Sequence, residues 1–269
     1  MESGARLEGQ TAIVTGATRG LGLAIARAFI AEGASVVMTG RSADEGRRKA
    51  AELGPSARFE PCDLTNPDDI ARLVANADSA FGRIDILVNN AGDLVRASVL
   101  ELDLADYERI QRLNLTAPLM LIQQVGRIMV RERRGGSIVN VTSTGSQVCR
   151  PGGTAYHVSK AGLAMLTKSA ALDLGQYGIR VNAVAPGTFA TELMLSSSQT
   201  TPGLQDELRA TTPLGRFGEE DELAAVALFL ASRESSYVTG QSLLVDGGRL
   251  VLNPAVKAPA TAEWLDFRR

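Results

Sequence analysis

The stretch that decides the fold is TAIVTGATRGLGLAIARAFIAEG, Thr11–Gly33. It opens with a short β-rich run, Thr11–Thr15, continues through a glycine-rich turn, and ends in a stretch of helical composition. Small residues in such a turn let the backbone bend tightly and let an anion approach the free N–H groups at the start of the helix. The stretch therefore predicts a strand–turn–helix unit that binds a dinucleotide pyrophosphate; the alternative is a tight turn without a ligand.

The rest of the chain continues this alternation of strand and helix. Short apolar runs such as SVVMTG (Ser35–Gly40) and IRVNAVAP (Ile179–Pro186) are separated by longer helical stretches, and the chain contains seven such runs. The runs are nearly continuous in apolar residues, which is typical of strands covered on both faces. The pattern predicts a single domain of the α/β class with a Rossmann-type, doubly wound, parallel sheet of seven strands.

Two segments interrupt or follow this pattern, which occupies residues 1–248. Gly187–Pro213 is rich in Ser, Thr and Gly, and a loop of that length in a compact domain is usually functional, so we expect it to form the substrate loop. The tail, residues 249–269, carries Trp264, Leu265 and Phe267. Aromatic residues on an irregular terminus usually anchor it, so we expect the tail to dock on the domain or on a neighbouring subunit; the alternative is a disordered end.

Composition and charge exclude several classes of function. Of the 269 residues 45% are hydrophobic, which allows a sizeable core, and 28 basic against 30 acidic side chains leave no excess to neutralise nucleic-acid phosphates. The two cysteines, Cys62 and Cys149, are too few for a disulfide framework. The N-terminus lacks the apolar core of a signal peptide, and the longest mostly apolar run, Leu223–Ala231, is too short to span a bilayer. We expect a cytoplasmic protein that binds neither nucleic acid nor membrane.

The end of the second predicted strand bears on the choice of dinucleotide. An NAD-binding unit usually carries an acid there for the ribose 2′-hydroxyl, whereas this chain has Gly40, Arg41 and Ser42. Arg19, inside the glycine-rich turn, is expected to lie close by. Guanidinium groups form charge-assisted bonds to phosphate, so the sequence predicts NADP(H) in preference to NAD(H). The alternative is that both arginines are solvated surface charges.

A tyrosine and a lysine in TAYHVSK (Thr154–Lys160) suggest the chemistry. Tyr156 and Lys160 lie about one helical turn apart. The positive charge of a lysine, and likewise that of an oxidised nicotinamide, favours the phenolate form of the tyrosine. The pair therefore predicts a general acid/base, unless the two are neighbours by chance. Ser143, at the end of the fifth predicted strand, could hydrogen-bond the substrate oxygen. The adjacent His157 points about 100° away on a helix, so we expect a packed surface residue, with a pocket wall as the alternative.

Several motifs in a fixed order resemble the short-chain dehydrogenase/reductase family. The resemblance covers about residues 7–248. It is carried by TGATRGLG, CDLT (Cys62–Thr65), NNAG (Asn89–Gly92), RLNL (Arg112–Leu115), VTS ending at Ser143, YHVSK, VAPG (Val184–Gly187) and VTGQSLLVDGG.

That resemblance implies roles for particular residues. Asn114, Ser143, Tyr156 and Lys160 would form the catalytic tetrad, in which Asn114 bends its helix and holds a water on a proton relay to the lysine. Phe189 stands where the family usually has a β-branched residue. The cofactor-binding residues expected from the motifs are Gly16, Thr18, Arg19, Gly20, Leu21, Gly22, Arg41, Ser42, Asp63, Leu64, Asn90, Ala91, Gly92, Tyr156, Lys160, Pro186, Gly187, Phe189 and Thr191; no metal site is expected. The resemblance also implies a homotetramer, or less often a dimer, built on the helices near Asp103–Arg134 and Tyr156–Tyr177.

Together these features predict an NADP(H)-dependent oxidoreductase that interconverts a secondary alcohol and a ketone. Two alternatives stay open: a non-catalytic dinucleotide-binding sensor on the same fold, and a non-redox lyase or epimerase. The segment Thr188–Pro213 holds one basic residue, Arg209, and no basic cluster for a phosphate or a carrier protein. A neutral or apolar carbonyl substrate is therefore expected.

Overall fold

The computed structural model describes residues 5–191 and 204–252. Within them, seven strands form one sheet in the order β3-β2-β1-β4-β5-β6-β7, and every neighbouring pair is parallel. The prediction of a doubly wound parallel sheet in a single domain is confirmed. The strands are β1 Thr11–Thr15, β2 Ser35–Gly40, β3 Ala57–Pro61, β4 Ile86–Asn89, β5 Gly136–Val141, β6 Ile179–Pro186 and β7 Ser242–Val245.

Helices cover both faces of the sheet, and the strands divide their side chains between them. Along β1, Ala12 and Val14 pack on one face with helices α1 and α8, whereas Ile13 packs on the other with α3 and α5. This two-residue alternation is that of any strand, and both sides are apolar because both are covered. The helices are α1 Gly20–Ala31, α2 Ala43–Leu53, α3 Pro67–Phe81, α4 Leu104–Gln111, α5 Ala117–Glu132, α6 Thr154–Leu174, α7 Leu204–Ala210 and α8 Glu220–Ala231.

The long amphipathic stretch from Asp103 to Arg134 is divided into two helices. A turn of π-helix, Arg112–Thr116, joins α4 to α5, and Asn114 is fully buried within it. Pro118 lies in the first turn of α5, directly after the π-helical turn, and has no N–H to donate to that turn. Asparagine is a poor residue for a helix interior, and a widened turn accommodates it.

The segments that interrupt the sequence pattern are described only in part. The substrate loop is described at 187–191 and again from α7, and the tail only as far as Leu252, with a short 3-10 turn at Arg249–Val251. The expectations for Trp264, Leu265 and Phe267 therefore lie outside the described residues. No helix in the described ranges combines the length and the apolar character needed to cross a bilayer.

Candidate active site

The glycine-rich turn between β1 and α1 forms a cradle that admits no side chain. A β-carbon at Gly22 would collide with the carbonyl oxygen of Gly16 and with the amide of Asn90. Gly16 itself has φ of +62°, and a β-carbon there would lie 2.9 Å from the Cα of Ala91. The turn therefore needs glycine for space as well as for backbone conformation. It leaves room for a pyrophosphate at the N-terminus of α1.

The end of β4 supports this turn through side chains. The amide of Asn90 donates to the carbonyl oxygens of Thr15 and Gly16 at 2.9 and 3.2 Å. The hydroxyl of Thr15 in turn accepts from the backbone N–H groups of Asn90 and Ala91 at 2.9 and 3.0 Å. Sequence reasoning did not single out Thr15. The feature that could have identified it is a hydroxyl at the last position of an otherwise apolar strand.

The end of β2 also meets the glycine-rich turn. A β-carbon at Gly40 would lie 3.1 Å from the methyl group of Thr18, so the two segments are in contact there. The next residue in each segment is an arginine. Those residues are Arg41 and Arg19, both exposed, and neither forms an ion pair with a residue of the described ranges. Ser42 is the N-cap residue of α2, but its side chain makes no capping hydrogen bond. At this edge two guanidinium groups and a hydroxyl therefore have no side-chain partner among the described residues.

The residues after β3 divide between surface and core. Asp63 is exposed, and its carboxylate accepts from the N–H and the hydroxyl of Thr65 at 2.9 and 2.7 Å. Leu64 is 8% exposed and belongs to the core that lies against α3. The side chain of Leu64 is therefore mostly committed to the core, and only its outer edge is open to a ligand.

The segment after β6 is clamped between two others. The N–H of Gly187 donates to Val245 at 2.9 Å, and the N–H of Ala190 donates to Gly218 at 2.9 Å. Phe189 is 5% exposed and packs its ring on Gly218, where a β-carbon would lie 2.6 Å from it. The Phe189 ring is thus a core group, and a cofactor at this segment would contact its backbone. The methyl group of Thr191 lies 3.9 Å from the β-carbon position of Gly20, so this segment reaches the glycine-rich turn.

Two of the predicted tetrad residues, Lys160 and Asn114, meet beside Gly92. A β-carbon at Gly92 would lie 3.3 Å from both the Nζ of Lys160 and the Oδ1 of Asn114. Lys160 is 4% exposed and donates to the carbonyl oxygen of Val141 at 2.8 Å; burial lowers the pKa of its ammonium to about 8. The amide of Asn114 is bonded to the backbone of Asp93 in both directions, at 3.0 and 2.9 Å.

Tyr156 lies in the first turn of α6 beside this group. Its ring centroid is 5.8 Å from the Nζ of Lys160, and the β-carbon position of Gly145 lies 3.3 Å from both the Ser143 hydroxyl and Cε1 of Tyr156. Burial raises the pKa of the Tyr156 phenol, and the neighbouring Ser143 hydroxyl lowers it by less. The sequence led us to expect a pKa lowered by Lys160; burial, which disfavours the phenolate, has the larger effect.

Ser159 is a second residue that sequence reasoning left out. Its hydroxyl donates to the carbonyl oxygen of Tyr156 at 2.7 Å and accepts from the amide of Asn114 at 3.0 Å. It therefore ties the first turn of α6 to the π-helical turn. The signal for it was its place inside the YHVSK motif, one residue before the lysine.

His157 and Cys149 lie on the outer side of the same group. The His157 ring is half-buried, sits against Gly145 and Gly153, and meets the Tyr156 ring edge-on with centroids 6.0 Å apart. The two rings are in contact although adjacent residues on a helix point about 100° apart. Cys149 is exposed in the loop between β5 and α6.

Comparisons with known proteins show which family the chain resembles along most of its length. A family model described as enoyl-(acyl carrier protein) reductase matches residues 16–249. Gluconate 5-dehydrogenase of Gluconobacter oxydans (strain 621H) is 40% identical over 248 residues, which covers 90% of this chain and 95% of that enzyme. L-rhamnose 1-dehydrogenase (NAD(P)(+)) of Azotobacter vinelandii is 42% identical over 251 residues, which covers 90% and 97%.

Among solved structures, a gluconate 5-dehydrogenase from Burkholderia cenocepacia J2315, crystallised with NADP and tartrate, matches with a TM-score of 0.87 and 35% identity. The match covers 92% of this chain and 98% of that one. The motif order, the sheet topology and these matches along most of the chain lead to one conclusion: this protein belongs to the short-chain dehydrogenase/reductase family of oxidoreductases.

Proposed function

We propose that the protein is an NADP(H)-dependent oxidoreductase that interconverts a secondary alcohol and a ketone, with Tyr156 as general acid/base. The observation that carries this proposal is the cluster of Ser143, Tyr156 and a buried Lys160 at the carboxyl edge of the sheet, where the glycine-rich turn also lies. Ligands of open α/β sheets bind at that edge. A sensor would have no need of a buried lysine beside a buried phenol.

The proton chemistry follows from the environment of Tyr156. A bound nicotinamide cofactor would supply or accept the hydride. With its pKa raised, the Tyr156 phenol keeps its proton at neutral pH and can donate it to a ketone oxygen. The Ser143 hydroxyl, which lies beside the Tyr156 ring, would bind the same oxygen and stabilise its developing charge. In the oxidative direction the charge of Lys160 would favour the phenolate that removes the alcohol proton.

The preference for NADP(H) rests on the edge between β1 and β2. Arg19 and Arg41 bring two cations to the place where an NAD-specific site has an acid, and neither is engaged by a described carboxylate. A 2′-phosphate can accept charge-assisted bonds from both. The Burkholderia relative crystallised with NADP supports this choice, although the Azotobacter relative is named for both cofactors.

Ketone-dependent oxidation of NADPH tests the proposal. A panel of ketones, including hydroxylated ones because relatives are named for gluconate, L-rhamnose and galactitol, should contain substrates that are reduced faster with NADPH than with NADH. Tight NADPH binding with no turnover on the panel would favour the sensor. A product formed without net change of cofactor would favour the lyase or epimerase.

A further inference from the structure

The loop before α6 and the first turn of α6, residues 145–157, form the outer wall of the candidate active site, and two polar side chains there have no partner among the described residues. His157 is half-buried, yet neither ring nitrogen makes a hydrogen bond to a described residue. Its imidazole is held between Gly145 and Gly153, whose β-carbon positions lie 3.0 Å from Cδ2 and 2.5 Å from Cε1 of the ring. The glycines thus provide the space for the ring. A half-buried donor held in place and left unpaired is suited to bind a ligand group.

Gly145 shows how close His157 lies to the proposed catalytic groups Ser143 and Tyr156. The β-carbon position of Gly145 lies 3.0 Å from the His157 ring, 3.3 Å from the Ser143 hydroxyl and 3.3 Å from Cε1 of Tyr156. The imidazole therefore borders the place where a ketone oxygen would be held. A substituent on the substrate close to the reacting carbon would reach His157.

Arg150 adds a positive charge to this wall. It lies in the turn before α6, where its carbonyl oxygen accepts from the N–H of Gly153 at 3.3 Å, and its side chain is exposed without an ion pair to a described residue. Its charge acts on His157 and, after burial, is the second cause that lowers the pKa of the imidazole. Arginine is normally found with a carboxylate or phosphate when it lines a site, because its donors form a planar fork.

No acidic side chain on this wall competes for these groups. The sequence from Ser143 to His157 contains no Asp or Glu. The segment that pairs with it through Ala97 and Gly153 contributes a further arginine, Arg96. The nearby Asp93 is held by Arg109 at 2.8 Å. Among the described residues, the outer wall is therefore basic.

We propose that Arg150 and His157 form a carboxylate-binding subsite beside Tyr156, so that the preferred substrate is an oxo acid and its hydroxy-acid partner. This rests on the proposed function and names its substrate class. An acidic substrate differs from the neutral carbonyl compound that the composition of Thr188–Pro213 led us to expect. The difference arises because the positive charge of Arg150 lies on the loop before α6, outside that segment. The guanidinium of Arg150 donates a bidentate pair to the carboxylate, and the imidazole N–H of His157 donates a third bond.

Matched pairs of acid and ester test the subsite kinetically. The probes are 3-oxobutanoate, 4-oxopentanoate and 5-oxohexanoate, each with its methyl ester, assayed with NADPH. We expect kcat/KM for the best acid to exceed that of its ester, and Arg150→Met to reduce this ratio by about 10- to 100-fold, the effect of losing a charge-assisted hydrogen bond. Arg150→Lys, which keeps the positive charge, should retain part of the acid-to-ester ratio. Arg233→Met removes an exposed cation outside the proposed subsite and is the control, so it should leave the ratio unchanged.

The single histidine of the chain allows a test that needs no turnover. In protein without a histidine tag, labelled with ¹³C-histidine and saturated with NADP⁺, one ring signal reports on His157. Among succinate, glutarate and adipate, at least one should shift that signal and raise the pKa of His157, because a bound carboxylate stabilises the imidazolium. The charged and titratable groups facing the ring are Arg150 and Tyr156, with Lys160 beyond the phenol. Glutaramide, a neutral analogue, should leave the signal in place.

The outcomes separate the subsite from the reaction. Reduction of neutral ketones with an acid-to-ester ratio near one, or a ratio that survives Arg150→Met, would overturn the subsite and leave the proposed function standing. A His157 signal that responds to dicarboxylates in a protein that reduces no ketone would overturn the proposed function instead. A signal that ignores all three dicarboxylates would contradict the subsite directly, whether or not the variants fold.

Discussion

At the scale of single residues, Lys160 shows how burial shifts the pKa of a side chain. Its ammonium is buried beside Asn114 and beneath Gly92, with the Val141 carbonyl as a hydrogen-bond acceptor, and its pKa is lowered to about 8. A neutral lysine is easier to bury than a charged one, so desolvation is the cause. A bound dinucleotide would bring compensating polar groups to the same place.

Lys160 therefore predicts a pH dependence of stability for the protein without cofactor. Between a folded pKa of about 8 and an unfolded value near 10.5, the unfolded chain binds more protons, so the free energy of unfolding should rise with pH in that window. The gain should be on the order of 3 kcal/mol. Urea unfolding of the wild type and of Lys160→Met at several pH values in this window isolates the contribution of Lys160. If the two free energies of unfolding change with pH in parallel, Lys160 titrates normally and the prediction is wrong.

The proposed preference for NADP(H) can also be tested at a single residue, Arg41. Arg41→Asp should repel a 2′-phosphate and offer the ribose hydroxyl an acceptor, which moves the preference from NADP(H) toward NAD(H). Side-by-side kcat/KM values for the two reduced cofactors measure the shift, with Arg47→Asp on α2 as a control of equal charge change. A wild-type protein that already prefers NADH would contradict the assignment of Arg19 and Arg41.

At the scale of elements, the turn between β1 and α1 has the strictest geometric requirement. Gly22→Ala places a methyl group against the Gly16 carbonyl and the Asn90 amide, so the turn must open. We expect loss of NADPH binding by tenfold or more, roughly one charge-assisted hydrogen bond, together with a lower melting temperature. Gly175→Ala is the matched control, because its φ is −57° and a β-carbon there meets nothing within 4 Å. Equal NADPH affinity in both variants would contradict this account.

The elements also show what a sequence can and cannot predict. β1 and β6 were predicted at the observed bounds, because continuous apolar runs ending at glycine or proline leave few alternatives. The division of α4 from α5 was only suggested, through the bend that the family resemblance implies at Asn114, because a π-helical turn depends on the bonds that Asn114 makes to Asp93 and Ser159. The raised pKa of Tyr156 and the position of His157 depend on burial by distant segments, which local sequence does not encode.

At the scale of the whole molecule, α6 carries an apolar stripe that no described residue covers. Val158, Met165 and Leu172 recur every seven residues and are 44%, 62% and 83% exposed. Seven residues are nearly two helical turns, so the three side chains share one face while the opposite face packs on the sheet. A self-complementary stripe on a long helix suits a two-fold interface, in keeping with the homotetramer that the family resemblance implies.

We propose that this stripe holds subunits together, and charge placed on it tests the idea. Met165→Lys combined with Leu172→Lys should lower the light-scattering mass below that of the wild-type assembly, because burying unpaired cations costs free energy. Leu100→Lys, at a residue 94% exposed elsewhere, is the control and should leave the mass unchanged. An unaltered mass in the double variant, or a wild-type monomer, would contradict the proposed interface.

The most direct test of the central claim is the effect of removing one oxygen atom. Tyr156→Phe keeps the ring packed beside His157 and Lys160 but removes the proton that Tyr156 would give to the ketone. With a ketone that the wild type reduces, we predict unchanged NADPH affinity by fluorescence titration. We also predict a kcat lower by about two to four orders of magnitude, the range of general acid/base catalysis. Near-wild-type turnover in this variant would contradict Tyr156 as the catalytic acid/base.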